Sequence, residues 1–275
     1  MKQKPEVSII ISTYNSVEWL KKTLWGYAYQ DFKDFEIVIA DDGSGAETKH
    51  AIAQLSPLFD RPIIHVWHED IGFRKTIILN KAVEACSAEY ILMSDGDCIP
   101  KANFVQVHLK HKEPGYFLSG GYFKLPMSIS QAITQEDIKK QRCFDLKWLK
   151  AQGLNNSIKN KKLSAGTFES KFLNLVTPTK PTWNGHNASG WKQDILAVNG
   201  FDERMQYGGE DRELGERLFN KGLKSKQIRY SAVCVHLDHA RGYVKEEMLV
   251  KNAAIRKETK LQRKTYTAFG IKKDS

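Results

Sequence analysis

Asp95-Gly96-Asp97 closes the apolar run Tyr90-Ile91-Leu92-Met93 with two carboxylates on either side of one glycine. A strand that ends this way can turn both acids outward, and the glycine lets the backbone bend tightly between them. Oxygens so placed suit a hard divalent cation that keeps coordination positions open for phosphate. The triplet also makes an ordinary Asp-Gly turn, so other residues must separate the two readings. A second acidic pair stands in Gly208-Gly209-Glu210-Asp211, at the start of a helix-forming run. Acids there are favoured by the helix dipole, and in a cleft one of them supplies a general base. Spacing does not choose between them. A third group, His236, Asp238 and His239, closes the segment 228–239. Histidine at a strand end often only hydrogen-bonds at the surface, but imidazole also suits manganese better than magnesium.

The elements that must carry these residues alternate. Apolar, β-rich runs over 7–13, 35–42, 62–68 and 90–97 predict strands, and 16–30, 46–59 and 73–86 predict helices between them. Such alternation implies an α/β fold with a parallel sheet covered on both faces. Ligands of these sheets bind beyond the C-terminal strand ends, where Asp41-Asp42, His68 to Asp70 and Asp95 to Asp97 all fall. From about 110 to 180 the pattern weakens, and 135–166 predicts a helix followed by a Lys/Asn-rich, mobile loop. The stretch 150–180 is expected to act as a lid that orders when substrate binds. A helix is predicted from Glu210 to about Lys221, with Gly222 as its stop.

Composition narrows the classes. The chain of 275 residues has 41% hydrophobic and 27% charged residues, ordinary for a globular protein. It lacks the roughly 20-residue apolar stretch of a membrane span, and the opening residues do not form a signal peptide. Four cysteines form no CxxC pair, which excludes a zinc ribbon and fits a reducing compartment. The net charge is +10, and residues 241–275 hold ten Lys or Arg against four acids. A basic helical tail there could attract anionic lipid, fold back on the domain or pair with another subunit. No nucleic-acid-binding motif accompanies the charge, so nucleic acid is not an expected partner.

The segments 7–24, 35–44, 95–97 and 199–222, in this order and strand context, resemble a family 2-like glycosyltransferase of GT-A fold. The last segment is similar to the C-terminal motif of β-1,4-galactosyltransferases and of bacterial chondroitin polymerase. The resemblance implies a GT-A (Rossmann-like) mixed, mainly parallel sheet flanked by helices, with a C-terminal helical extension. Residues 1–240 would form the transferase domain, its nucleotide-binding half about 1–110 and its acceptor-binding half about 111–240, before the basic helical tail 241–275. It further implies Ser12, Tyr14 and Asn15 around the base of a UDP-sugar, Asp42 accepting from the uracil, and Asp95 near the ribose. Asp97 would ligate Mn²⁺ or Mg²⁺, with His236 favoured over His239 as the second ligand. Asp70, Arg74 and Asn80 would lie beside the diphosphate and sugar, although Arg74 could instead pair with Glu69 or Asp70. Asp211 would be the base and Glu210 its helper. Trp183, His186, Tyr207 and Gly209 would flank the saccharide acceptor, and Trp191 fits core packing better. The family usually has tryptophan where this chain has Tyr207.

The implied activity is inverting transfer of a sugar from a UDP-sugar to a saccharide or lipid-linked saccharide. The expected setting is the cytoplasm, in the synthesis of bacterial surface polysaccharide or lipopolysaccharide, with peripheral membrane contact through the tail. A nucleotidyltransferase would carry a glycine-rich basic loop after the first strand, and "STYNSVEWL" lacks one. A non-catalytic glycan-binding protein has no need of both acidic pairs.

Overall fold

The computed structural model describes residues 3–240 and 244–273; of the expected tail, Arg241 to Tyr243 and Asp274 to Ser275 lie outside the described residues. Seven strands form the main sheet. Its parallel half runs β3 (Ile64–Trp67), β2 (Phe35–Asp41), β1 (Val7–Thr13), β4 (Tyr90–Asp95). β8 (Ala188–Trp191) then pairs antiparallel with both β4 and β6 (Tyr116–Ser119), and β9 (Lys224–Gln227) closes the edge parallel to β6. A smaller sheet orders β5 (Cys98–Pro100), β10 (Val233–His236) and β7 (Gly121–Lys124). The expected mixed, mainly parallel sheet is present.

The physical reason is burial. β2 is buried at every position and β1 at all but one, as central parallel strands covered on both faces must be. One apolar layer gathers Ile9, Ile11, Leu20, Leu24 and Phe104, and another gathers Ile10, Val38, Ile78, Val83 and Phe117 on the opposite face. Alternate residues of a single strand thus serve two cores. A third cluster, with Ile99, Phe123, Ile129 and Val235, sits beneath the small sheet.

Several elements differ from expectation. The helix expected over 46–59 runs Ala46–Leu55 and tightens to a 3₁₀ turn at Ser56–Leu58, because Pro57 has no N–H for a further helical bond. Only Val233–His236 of 228–239 is strand, so His239 follows it in irregular chain. The stretch 150–180 is not a structureless loop: it holds short helices at Lys161–Ser164 and Thr167–Val176. The latter is tied down where Asn174 donates to Ser231 Oγ (2.9 Å) and accepts from the Tyr230 amide (2.9 Å).

The described part of the basic tail packs against the rest of the chain. Its helix Glu246–Leu261 packs along the helix Glu210–Asn220. Asn252 Nδ2 donates to the carbonyls of Gln206, Tyr207 and Gly208 at 3.0–3.1 Å. Thr259 donates to Glu213 (2.8 Å), which is fully buried and paired with Arg217 at 2.6 Å. Beyond the helix, the chain returns to Asn199, whose amide reaches the carbonyls of Thr267 and Lys272.

Removing one member of a fully buried ion pair leaves an uncompensated charge and costs roughly 3–5 kcal/mol. Arg217→Met should therefore lower unfolding stability by about that amount in a urea titration. A change within about 0.5 kcal/mol would show that the pair does not anchor this helix.

Candidate active site

The parallel register brings β1, β2 and β4 to one edge: Ser12 lies opposite Ala40 and Asp95, and Thr13 opposite Asp41. Ser12 Oγ donates to Asp95 Oδ1 at 2.7 Å. Gly96 follows, with its amide 2.7 Å from the Ser12 carbonyl. A Cβ on Gly96 would come within 2.9 Å of that oxygen, so only glycine lets the turn close against β1. Sequence reading missed Lys75, whose Nζ donates to Asp95 Oδ1 at 2.9 Å. Burial pushes the Asp95 carboxyl up, but Lys75, His186 and Ser12 outweigh it and hold it below the usual range. Lys75 shares the spacing 75, 78, 79, 82 with buried Ile78, Leu79 and Ala82. A lysine on a helix's buried stripe was the available signal.

Asp97 meets the histidines. β5 pairs antiparallel with β10, setting Cys98 opposite His236. Asp97 Oδ2 lies 3.6 Å from His236 Nε2 and 3.1 Å from His239 Nε2, so the structure brings both imidazoles to it. Each Nδ1 faces a backbone carbonyl, His236 that of Leu237 (2.7 Å) and His239 that of Ala240 (2.9 Å). A carbonyl only accepts, so each Nδ1 carries a hydrogen and each Nε2 is the nitrogen turned toward the carboxylate. The arrangement matches how metal-binding histidines are held by their second nitrogen. Oxygen with imidazole nitrogen fits manganese. Cys98 Sγ lies close to Asp97 and His236, and burial, with Cys234 and Asp97 nearby, pushes its thiol well up.

The second acidic pair rests on two glycines with positive φ, Gly208 at 104° and Gly209 at 88°. Side chains there would strain the backbone, and a Cβ on Gly208 would strike Leu249 at 2.5 Å. Glu210 is buried and its Oε2 accepts from the Gly208 amide (2.9 Å). Asp211 faces the bare backbone of Gly185, where a Cβ would sit 3.0 Å from Oδ1. That oxygen is buried with no hydrogen-bond partner. Burial, then the neighbouring Glu210 charge, push the Asp211 carboxyl up to about 7, although Lys75 draws it down. A carboxylate with that affinity and a free oxygen is equipped to take a proton.

A cleft of about 1090 Å³ opens beside Asp211, with Gly209, His186 and Tyr122 in its wall. Tyr122, which sequence reading also missed, points outward on β7 between buried Gly121 and Phe123. Its ring meets His186 (4.8 Å, edge-on) and His236 (5.1 Å). Burial pushes His186 down to about 4 against the pull of Asp95, so it is neutral near pH 7.

The other residues singled out in the sequence divide. Tyr14 and Asp70 meet at the crevice mouth, where Tyr14 donates at 2.8 Å, and Asn15 accepts from the Gly45 amide at 3.0 Å. Asp42 is buried with both oxygens engaged, Oδ1 at His68 (2.7 Å) and Oδ2 accepting from the Arg74 amide (3.0 Å). The Arg74 guanidinium donates to the Glu69 carbonyl at 2.6 Å rather than to either neighbouring carboxylate. Tyr207 packs edge-on to Phe73 at 6.0 Å. Asn80 and Trp183 are not brought to the crevice surface. Asn80 is buried and bonds the Phe201 carbonyl and amide (2.9 and 2.7 Å), pinning the loop before Glu210. Trp183 is fully buried against Phe117 and fills the space over Gly190 and Gly215. It underlies the cleft where a stacking surface was expected.

Comparison with known proteins agrees with this fold. Residues 8–144 match the model of glycosyl transferase family 2, and residues 179–240 match that described as the N-terminal domain of galactosyltransferase. The validoxylamine A glucosyltransferase of Streptomyces hygroscopicus subsp. jinggangensis is 28% identical over 243 residues, covering 82% of this chain and 54% of that protein. The chondroitin synthase of Escherichia coli is 23% identical, over 81% of this chain and 33% of its own length. The chain thus spans about half of the first relative and a third of the second. The mannosyltransferase PcManGT from Pyrobaculum calidifontis, solved with GDP-Man and Mn²⁺, superposes with a TM-score of 0.59 at 17% identity, covering 95% of this chain and 63% of that one. TarS 1-349 of S. aureus, solved with UDP-GlcNAc, gives 0.55 at 15%, covering 86% and 60%. At these identities the structures show a shared fold.

A carboxyl that ionises near 3.8 when unfolded but at about 7 when folded holds its proton more tightly in the native state. Its contribution is therefore lost as pH rises from about 4 to 7. Asp211→Asn removes that slope. The variant should match the wild type near pH 4 and exceed it at pH 8 by about 2–4 kcal/mol. Denaturant melts at the two pH values check this, and an equal difference at both would contradict the assigned shift.

Proposed function

We propose that this chain, which belongs through residues 8–144 to glycosyl transferase family 2, is an inverting, metal-dependent glycosyltransferase. It moves one sugar from a UDP-sugar to a hydroxyl of a saccharide acceptor. The observation that carries this reading is Asp211, with one oxygen unpartnered and its carboxyl pushed up to about 7, at the meeting of the acceptor-sized cleft and the Asp95–Lys75 pair.

The donor's nucleoside fits the crevice beyond β1 and β2, with Tyr14, Asn15 and Asp70 at its mouth and Ser12 and Asp95 deeper. Asp97 and His236, with His239 beside them, would hold a divalent cation, which when bound offsets the negative charge of a departing diphosphate. Asp211 accepts the proton of the acceptor hydroxyl. That oxygen forms its bond to the anomeric carbon as the bond to the diphosphate oxygen breaks from the opposite face, and the electron pair leaves with UDP. Glu210, held by the Gly208 amide, orients a sugar hydroxyl and keeps Asp211 basic by repulsion. Tyr122 and neutral His186 offer the sugar ring an aromatic wall. The glycosyltransferase relatives support a role in bacterial surface polysaccharide synthesis. No helix among the described residues is long and apolar enough to cross a membrane. Work on the cytoplasmic face, with peripheral contact through the exposed lysines of the helix Glu246–Leu261, belongs to the same proposal.

A panel of UDP-sugars tested for slow Mn²⁺-dependent hydrolysis should identify one donor cleaved well above the rest, and no cleavage of any would contradict the activity. With that donor, Asp211→Asn should lose about two to four orders of magnitude in turnover while still binding UDP. In the wild type, kcat/KM should rise with pH through about 7, since the base acts only when ionised. Lys75→Met removes the cation that draws Asp211 down, so its rising limb should move to higher pH. A limb that stays in place or moves lower would show that Lys75 does not tune the base.

A further inference from the structure

The cleft beside Asp211 carries far more positive charge than its own acids neutralise. Eight Lys or Arg residues line it against three carboxylates. Three of the cations are satisfied within the wall. Lys124 pairs with Asp238 at 2.8 Å, and Arg256 and Lys260 share Glu216 at 2.5 and 3.2 Å. Five remain: Lys159, Lys162, Lys180, Arg212 and Arg229. Among the described residues none of the five has a carboxylate within ion-pairing distance, and the one acid left in the wall is Asp211.

The arrangement at Arg229 and Lys162 is costly in the free protein. Arg229 lies across Gly121, where a Cβ would meet its Cγ at 2.5 Å, so the missing side chain makes room for it. Its Nε is buried with no hydrogen-bond partner, and its nearest polar contact is a long one to Thr179 Oγ1 (3.4 Å). Lys162 is held over the Tyr122 ring (5.8 Å) by the Tyr122 carbonyl (2.9 Å). Burial, then repulsion from Arg229 and Lys159, push its ammonium down. Like charges gathered around an unpaired buried donor are stabilised when an anion arrives.

The donor's diphosphate is assigned instead to the cation site at Asp97 and His236, and neither residue belongs to this wall. The cleft wall comprises residues from 119 onward, and none of Ser12, Tyr14, Asp42, Lys75 or Asp95 belongs to it. The cations stand on the β7 side, around Tyr122. We propose that the acceptor is an acidic saccharide, with a carboxylate or phosphate held by Arg229, Lys162 and Lys159 while a neighbouring sugar ring lies on Tyr122. This inference rests on the transferase reading of Asp211 and names the class of its acceptor.

The test compares saccharides matched except for charge, with UDP and Mn²⁺ present. Hyaluronan tetrasaccharide is set against chitotetraose for the carboxylate, and glucose 6-phosphate against glucose for the phosphate, with Kd read by calorimetry or NMR. At least one charged member should bind about tenfold or more tightly than its neutral match, and about 200 mM added salt should shrink the margin. A margin in the first pair alone identifies a carboxylate, and in the second alone a phosphate. The variant Lys159→Gln/Lys162→Gln should erase most of it, as should Arg229→Gln, with UDP–Mn²⁺ affinity unchanged and the melting temperature not lowered. The double lysine variant keeps the test readable if Arg229→Gln folds poorly. Equal binding within both pairs, or a margin that survives in the lysine variant, would overturn the proposal. Failure of UDP to bind the wild type would instead contradict the donor assignment, and the charge comparison can be repeated without nucleotide.

Discussion

Repulsion among carboxylates is the constraint around which this molecule is arranged. Asp95 and Asp97 come from one turn, Glu210 and Asp211 from a helix start far along the chain, and the two pairs converge on one crevice. In water they would separate; here strand register, two tight turns and a helix start hold them. Lys75 compensates one part of the cluster through Asp95, and the two imidazoles face another at Asp97. Asp211 is left with its burial incompletely offset, which is why its carboxyl is pushed up to about 7. Such a site costs folding stability and gives reactivity in return.

The supports are built to bear that cost. Helix Glu210–Asn220 starts from two left-handed glycines, and its buried Glu213–Arg217 pair is locked by Thr259. Asn252 satisfies three consecutive carbonyls of the loop leading into it. The C-terminal segment, strongly basic by composition, thus fixes the angle at which Asp211 enters the cleft. Its cations facing Glu216 are occupied in the same task.

What could be read in the sequence was what periodicity and local chemistry express. The strands ending at Thr13, Asp41 and Asp95 are long apolar runs, and they alone suffice to place Ser12 and Asp95 at one edge. The helix beginning at Glu210 announces itself by two glycines and two acids. Residues whose role depends on distant partners were misjudged. Trp183 and Asn80 look like polar-capable residues near a motif, yet one fills the space over two glycines and the other pins Phe201. Lys75 was passed over for its neighbour Arg74, because only the buried stripe of its helix tells them apart. The stretch 150–180 looked loop-like because its helices are short and rest on tertiary contacts such as Asn174 with Ser231. The unpaired cations near Tyr122 were visible as charge, but their convergence on one wall was not.

The central claim is that this acidic cluster grips a nucleotide diphosphate through a shared cation, with Asp97 as the oxygen ligand. Calorimetric titration of UDP into the protein, with and without Mn²⁺, tests it most directly. Binding should require the metal in the wild type and vanish in Asp97→Ala at equal metal concentration. UDP binding of the same strength without metal, or undiminished in Asp97→Ala, would contradict the account.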